Sequence, residues 1–246
     1  MSAADTAGIA DGSGPAGPEP GSEHDRAMRS ARHVAVVLTV AALTLVAVRV
    51  LLVQSFVVPT ASMEPTLGSG DRVLVSRLDH RFGSVHRGDI IVFSGDGVFD
   101  PPMSSPDTAL ARAGRWFASA AGAPVGEHDY VKRVIGLPGE HVTCCDAEGR
   151  IAVDGVPLDE TYLPGGQQPS TVPFDIVVPA GRLWVLGDNR GVSRDSRAHL
   201  ADPGYGTVPL DHVVGRVVVV WWPASRAGAI GRVDPRLTTA TAAGAL

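Results

Sequence analysis

The hydrophobic pattern divides the chain into unlike stretches. Residues 1–33 carry Ala, Gly, Ser, Pro and acids with almost no bulky apolar side chain. Such a composition cannot bury enough surface to offset its ordering entropy, and the segment is expected to be disordered. Residues 34–53 are apolar almost throughout, broken by Arg49 and two threonines. At about 1.5 Å per helical residue, such a run crosses a hydrocarbon core of roughly 30 Å. Beyond it the pattern changes to short apolar runs: Arg72–Ser76, Asp89–Phe93, Tyr130–Ile135, Ile151–Val153, Asp175–Val178, Leu183–Leu186 and Val213–Trp222. Turn signals such as Gly136-Leu137-Pro138-Gly139 and Asp154-Gly155 separate them.

These elements predict a mainly β fold: a single N-terminal transmembrane helix followed by an antiparallel, barrel-like sheet domain outside the membrane. The expected organisation is a cytoplasmic segment 1–33, an anchor 34–53, a domain 54–236 and a flexible tail 237–246. Within the domain, residues 94–129 read as a surface insertion, Pro- and Ser-rich at first and then helix-compatible around Thr108–Ala121, with Trp116 and Phe117. Arg26, Arg29 and Arg32 flank the entrance to the apolar run, so the positive-inside rule puts the N-terminus in the cytoplasm. Arg49 near the exit can snorkel to the outer interface. A cleavable leader is the competing reading, with Ala61 before the cut. Against it, Pro59 is not the usual small residue, and the run exceeds the 7–15 residues of a typical leader core.

Composition narrows the class further. Glycine (29) and proline (19) are plentiful and aromatics are few, as in turn-rich β structure. The net charge of −5, without a basic stripe, argues against nucleic acid as a partner. Cys144 and Cys145 are adjacent, read as two thiols at a strand end or as a local bridge. No Cys/His spacing resembles a zinc site, so neither metal nor cofactor is expected.

The candidate chemistry begins at Ser62, in Ser62-Met63-Glu64-Pro65-Thr66-Leu67, just past the apolar run. A serine hydroxyl needs a base, and none of the eight histidines sits in a convincing motif. Lys132 is the alternative, since Val131, Val134 and Ile135 offer apolar surroundings and a buried amine becomes a base when neutral. Strand alternation sends Lys132 and Arg133 to opposite faces, one burying the amine and the other leaving the arginine to solvent. A plain surface lysine is what this segment would suggest by itself.

Four runs occur in order: Pro59-Thr60-Ala61-Ser62-Met63-Glu64-Pro65-Thr66-Leu67, Gly88-Asp89-Ile90-Ile91-Val92-Phe93, Tyr130 to Glu140, and Gly187-Asp188-Asn189-Arg190 leading to Ser193-Arg194-Asp195-Ser196-Arg197. Together, across residues 34 to about 222, they resemble the sequence boxes of the bacterial type I signal peptidases, the Ser/Lys peptidases of family S26. The resemblance implies a membrane-bound serine endopeptidase that removes signal peptides from exported preproteins after an Ala-x-Ala site, through an acyl-enzyme. It implies Ser62 as nucleophile, Lys132 as general base, and an oxyanion hole made by the Ser62 N–H and the Thr60 hydroxyl. Ser193 would orient the lysine, and Asp195 with Arg197 would support the site, a role close to that of an ordinary structural ion pair. Phe56, Val58, Met63, Leu67, Tyr130 and Val131 would line the substrate groove; core packing is the competing role, equally so for Leu67. Gly191-Val192 depart from the Asp-Asn often found there, which leaves the spacing of Ser193, Asp195 and Arg197 intact. Implied partners are preproteins and the lipid bilayer, with the enzyme monomeric in the plasma membrane of a bacterium. Two other readings stay open: a self-processing Ser/Lys hydrolase, and a membrane-anchored β scaffold without catalysis.

Overall fold

The computed structural model describes residues 21–77, 85–101 and 128–233; side chains of residues 21–27 and 45–52 lie outside that set. Two units are separable, residues 1–47 and 48–246. A helix, α1, runs Gly21–Leu52. It therefore begins inside the segment expected to lack order, for a simple reason: after Gly21 the chain has no Gly or Pro until Pro59. Among the described residues no helix is long and apolar enough to cross a membrane, residues 45–52 of the apolar run having their side chains outside that set.

The second unit is antiparallel β structure, as the alternation predicts. In chain order its strands are β1 (Val53–Val57), β2 (Arg72–Ser76), β3 (Ile90–Ser94), β4 (Asp129–Gly136), β5 (His141–Cys144) and β6 (Ile151–Val153). They continue with β7 (Val156–Pro157), β8 (Phe174–Val177), β9 (Arg182–Leu186), β10 (Val208–Pro209), β11 (Val213–Trp222) and β12 (Gly228–Ala229). The larger sheet has the order β1-β2-β11-β3-β4-β9-β10, with β12 beside β11. Its ends are β1 and β10, so it does not close into a barrel through this ladder. A smaller sheet, β7-β6-β5-β8, covers part of it, and Trp184 and Leu186 of β9 pack with Val142, Ile151 and Phe174 of the small sheet.

Val53, expected to end the apolar helix, instead opens β1, where it pairs with Ser76. Its β-branched side chain suits a strand, and the β1–β2 ladder continues to Val57↔Arg72. Residues 102–127, most of the predicted insertion with Trp116 and Phe117, lie outside the described residues, as does the tail 237–246. The start of the insertion is not on the surface: Val98 and Phe99 are buried, and Phe99 meets Phe93 and Tyr130 edge to face. Asp129, expected to close the insertion, opens β4. Cys144 and Cys145 are bridged to one another at the end of β5.

Candidate active site

The chain leaves β1 at Val57, passes Pro59 and Thr60, and turns through a short 3₁₀ helix, Ala61–Met63. Met63 and Leu67 are fully buried with Phe56, Val73 and Val131, which anchors the turn from beneath. Further support comes from Asn189, whose backbone N–H donates to Ser62 O (3.1 Å) and whose side-chain amide donates to Ala61 O (3.2 Å). Gly187 permits the close approach of this loop. A Cβ there would collide with Ser193 Oγ and Ser62 O.

Lys132 reaches the same place from β4, 70 residues later. Its Nζ lies 2.9 Å from Ser62 Oγ and donates to Val131 O at 3.0 Å. The lysine is 4% exposed and Ser62 8%. Desolvation lowers the amine's pKa from 10.5 to about 8, while Asp195 and Asp188 pull the other way without ion-pairing to it. Thr60 Oγ1 donates to Ser62 Oγ at 3.1 Å, so the hydroxyl two residues back sits beside the serine's own.

The other face of β4 corrects the reading of Arg133. Rather than facing solvent it is 1% exposed. Its guanidinium grips Asp188 in a fork, Nε to Oδ1 at 2.8 Å and Nη2 to Oδ2 at 2.6 Å, and donates to Gly88 O. Tyr162, between β7 and β8 of the small sheet, stacks over it with the ring centre 3.9 Å away. Alternation separates the two faces correctly but does not reveal that both are covered. Thr66 Oγ1 donates to the same Asp188, tying the loop that carries Ser62 to the pair.

Asp195 and Arg197 form a two-pronged ion pair, and Asp195 also accepts from the Gly187 N–H. Arg190 pairs with Glu160, caps Gly187 O and receives Arg197 at its own carbonyl. Ser193 Oγ is buried beside Gly187 and makes no hydrogen bond among the described residues. Of the groove residues named from the sequence, Val58, Tyr130 and Val131 line a cavity of about 670 Å³ that opens on Ser62 and Lys132. Phe56, Met63 and Leu67 belong to the core beneath it. Sequence reasoning left Asn189, Gly187, Asp188 and Glu160 without roles. The first three stand inside a quoted motif, whereas Glu160 carries no local signal.

A sequence model of the family described as signal peptidase, peptidase S26, matches residues 31–222. The chain belongs to this family. It is accordingly a peptidase, similar at 38% identity to a signal peptidase I of Mycobacterium tuberculosis (strain ATCC 25618 / H37Rv), over 82% of this chain and 74% of the relative. A signal peptidase I of Leptolyngbya laminosa is 35% identical over 75% and 76% of the two chains. Signal peptidase IB of Staphylococcus aureus (strain N315) is 30% identical over 71% and 80%. A solved signal peptidase I from Enterococcus faecalis V583 aligns with a TM-score of 0.35 at 26% identity, over 54% of this chain and 96% of that one.

Proposed function

We propose that this peptidase removes signal peptides from exported preproteins at the membrane surface, using Ser62 and Lys132. The observation that carries the reading is the 2.9 Å contact between a buried serine hydroxyl and a buried amine whose pKa is lowered to about 8. A neutral Lys132 Nζ accepts the Ser62 proton as Oγ attacks the scissile carbonyl carbon. The oxyanion forms against the Ser62 N–H and the Thr60 hydroxyl, which turns from Ser62 Oγ to the new charge. Collapse breaks the C–N bond, and Lys132 gives its proton to the departing amine. Water, deprotonated by the same lysine, then cleaves the Ser62 ester and releases the leader's carboxyl end.

Backbone pairing offers a route for binding. β3 pairs with Asp129–Lys132 on one side, while β9 begins pairing with β4 only at Arg133. No described strand pairs with the other edge of residues 129–132, and β1, leading to Val58–Thr60, is itself an edge. An extended preprotein segment can add a strand there, placing small side chains toward Val58 and Val131. Asp195 and Arg197 hold the loops behind the lysine, and Ser193, whose buried hydroxyl has no other partner among the described residues, orients the lysine. The apolar run, ended at Leu52 by the start of β1, anchors the enzyme as a single span, with the N-terminus cytoplasmic and the peptidase unit outside, working as a monomer.

The test is cleavage of a preprotein with an Ala-x-Ala site by the full chain in detergent, beside Ser62→Ala and Lys132→Ala. Wild type is expected to cut after the last alanine, and each variant to lose at least about 10⁴-fold in rate. Cutting by either variant would remove that residue from the mechanism. A folded wild type that cuts no preprotein would leave self-processing or scaffolding.

A further inference from the structure

The arginines around the site are not alike. Arg133, Arg190 and Arg197 are buried, and each has a carboxylate partner, respectively Asp188, Glu160 and Asp195. Arg194 lines the same cavity as Ser62 and Lys132, yet it is exposed and makes no hydrogen bond or ion pair among the described residues. Its backbone is fixed on both sides. Ser193 N–H donates to Asn189 O at 3.0 Å, and Asp195 is locked by Gly187 and Arg197. The cavity around it is mostly apolar, with Val58, Val131 and Val192 in the lining. Asp129, the acid that also lines it, has partners of its own. Tyr130, whose hydroxyl donates to Asp100, lines the same cavity.

A cation held at the rim of a substrate groove, paired with no carboxylate among the described residues, can meet one from the substrate. We propose that Arg194 is a specificity-determining residue, pairing with an acidic side chain of the preprotein within two residues of the scissile bond. The inference rests on the peptidase reading above. It concerns preference among substrates, not the chemical step, because Arg194 touches neither Ser62 Oγ nor Lys132 Nζ through any hydrogen bond. A bound peptide covers the guanidinium partly, which strengthens the pairing beyond that of a fully solvated ion pair.

The experiment uses one Ala-x-Ala preprotein carrying Asp, Asn or Lys at three positions: the residue between the two alanines and the first two residues after the cut. Cleavage by the full-length enzyme in detergent is compared for wild type, Arg194→Gln and Arg194→Glu. At one of these positions at least, wild type is expected to favour Asp over Lys about tenfold in kcat/KM. Arg194→Gln should bring that ratio close to one and Arg194→Glu should invert it. Ratios within one variant cancel any general loss of activity. If Arg194→Glu does not fold, the glutamine variant decides, together with wild type in about 0.5 M salt, where the preference should shrink. An Asp-to-Lys ratio unchanged in the variants at every position would overturn the inference while leaving the peptidase reading intact. A folded wild type that cuts none of the substrates would overturn both.

Discussion

Lys132 and Arg133 are consecutive cations on β4, both almost fully buried, and the strand's two faces treat them in opposite ways. On Arg133's face, Asp188 supplies a matched carboxylate, Gly88 a carbonyl and Tyr162 a ring. On Lys132's face there is a hydroxyl, a carbonyl, apolar wall and the Tyr130 ring 5.9 Å away, but no carboxylate in contact among the described residues. A guanidinium cannot shed its charge at any relevant pH, so its burial requires a partner. An ammonium can, so burial without a partner turns it toward the neutral form. One strand thus holds a fixed structural charge and a titrating one, and the second is the one chemistry can use.

The largest test of this contrast is Arg133→Met, which strands the Asp188 carboxylate. It should destabilise the domain by about 3–5 kcal/mol in urea unfolding, and adding Asp188→Leu should recover much of the loss. If the single variant unfolds like wild type, the pair contributes no structure and the contrast fails.

Lys132→Met should move the other way. With the folded pKa near 8 against an ordinary 10.5, the charged amine is disfavoured by the fold at pH 7, by about 3 kcal/mol. The methionine variant should gain about that much stability while losing activity. Between about pH 8 and 10.5 the unfolded lysine holds a proton that the folded one has released, so wild-type stability should rise with pH across that window. Below pH 8 both states are protonated and this dependence vanishes; Lys132→Met should lack it throughout.

The smallest effect per step is on rate. On the proposed mechanism the neutral amine is the base, so kcat/KM should fall about tenfold for each pH unit below about 8 and level off above it. A profile flat from pH 6 to 9 would show that Lys132 does not titrate as a base there.

The sequence made some of this legible and hid the rest for identifiable reasons. β2, β6 and β11 stand at the residues the alternation predicts, because Val-rich runs between turns have few other options. Ser62 and Lys132 were legible as a pair through their motifs, although nothing local connects them. β7, β10 and β12 were missed, each only two residues long and held by its neighbours rather than by a pattern of its own. β5, His141–Cys144, was hidden by a polar composition that only its two flanking strands make strand-like. Arg133's burial depends on Asp188, Thr66 and Tyr162, distant in sequence, and hydrophobic periodicity carries no information about such partners. Phe56, Met63 and Leu67 show the converse. The resemblance suggested groove residues, but Phe56 on β1, Met63 in the 3₁₀ turn and Leu67 beyond it all pack into the core.

The strand order has one more consequence. Ser62 hangs from the β1–β2 hairpin and Lys132 from the β3–β4 hairpin, and within the sheet these two hairpins are joined only through β11, Val213–Trp222. β11 is therefore the strand through which the sheet sets the relative height of Ser62 and Lys132, although neither residue lies on it. A slip of register in β11 would shift one hairpin along the other and move the two side chains apart without altering either hairpin.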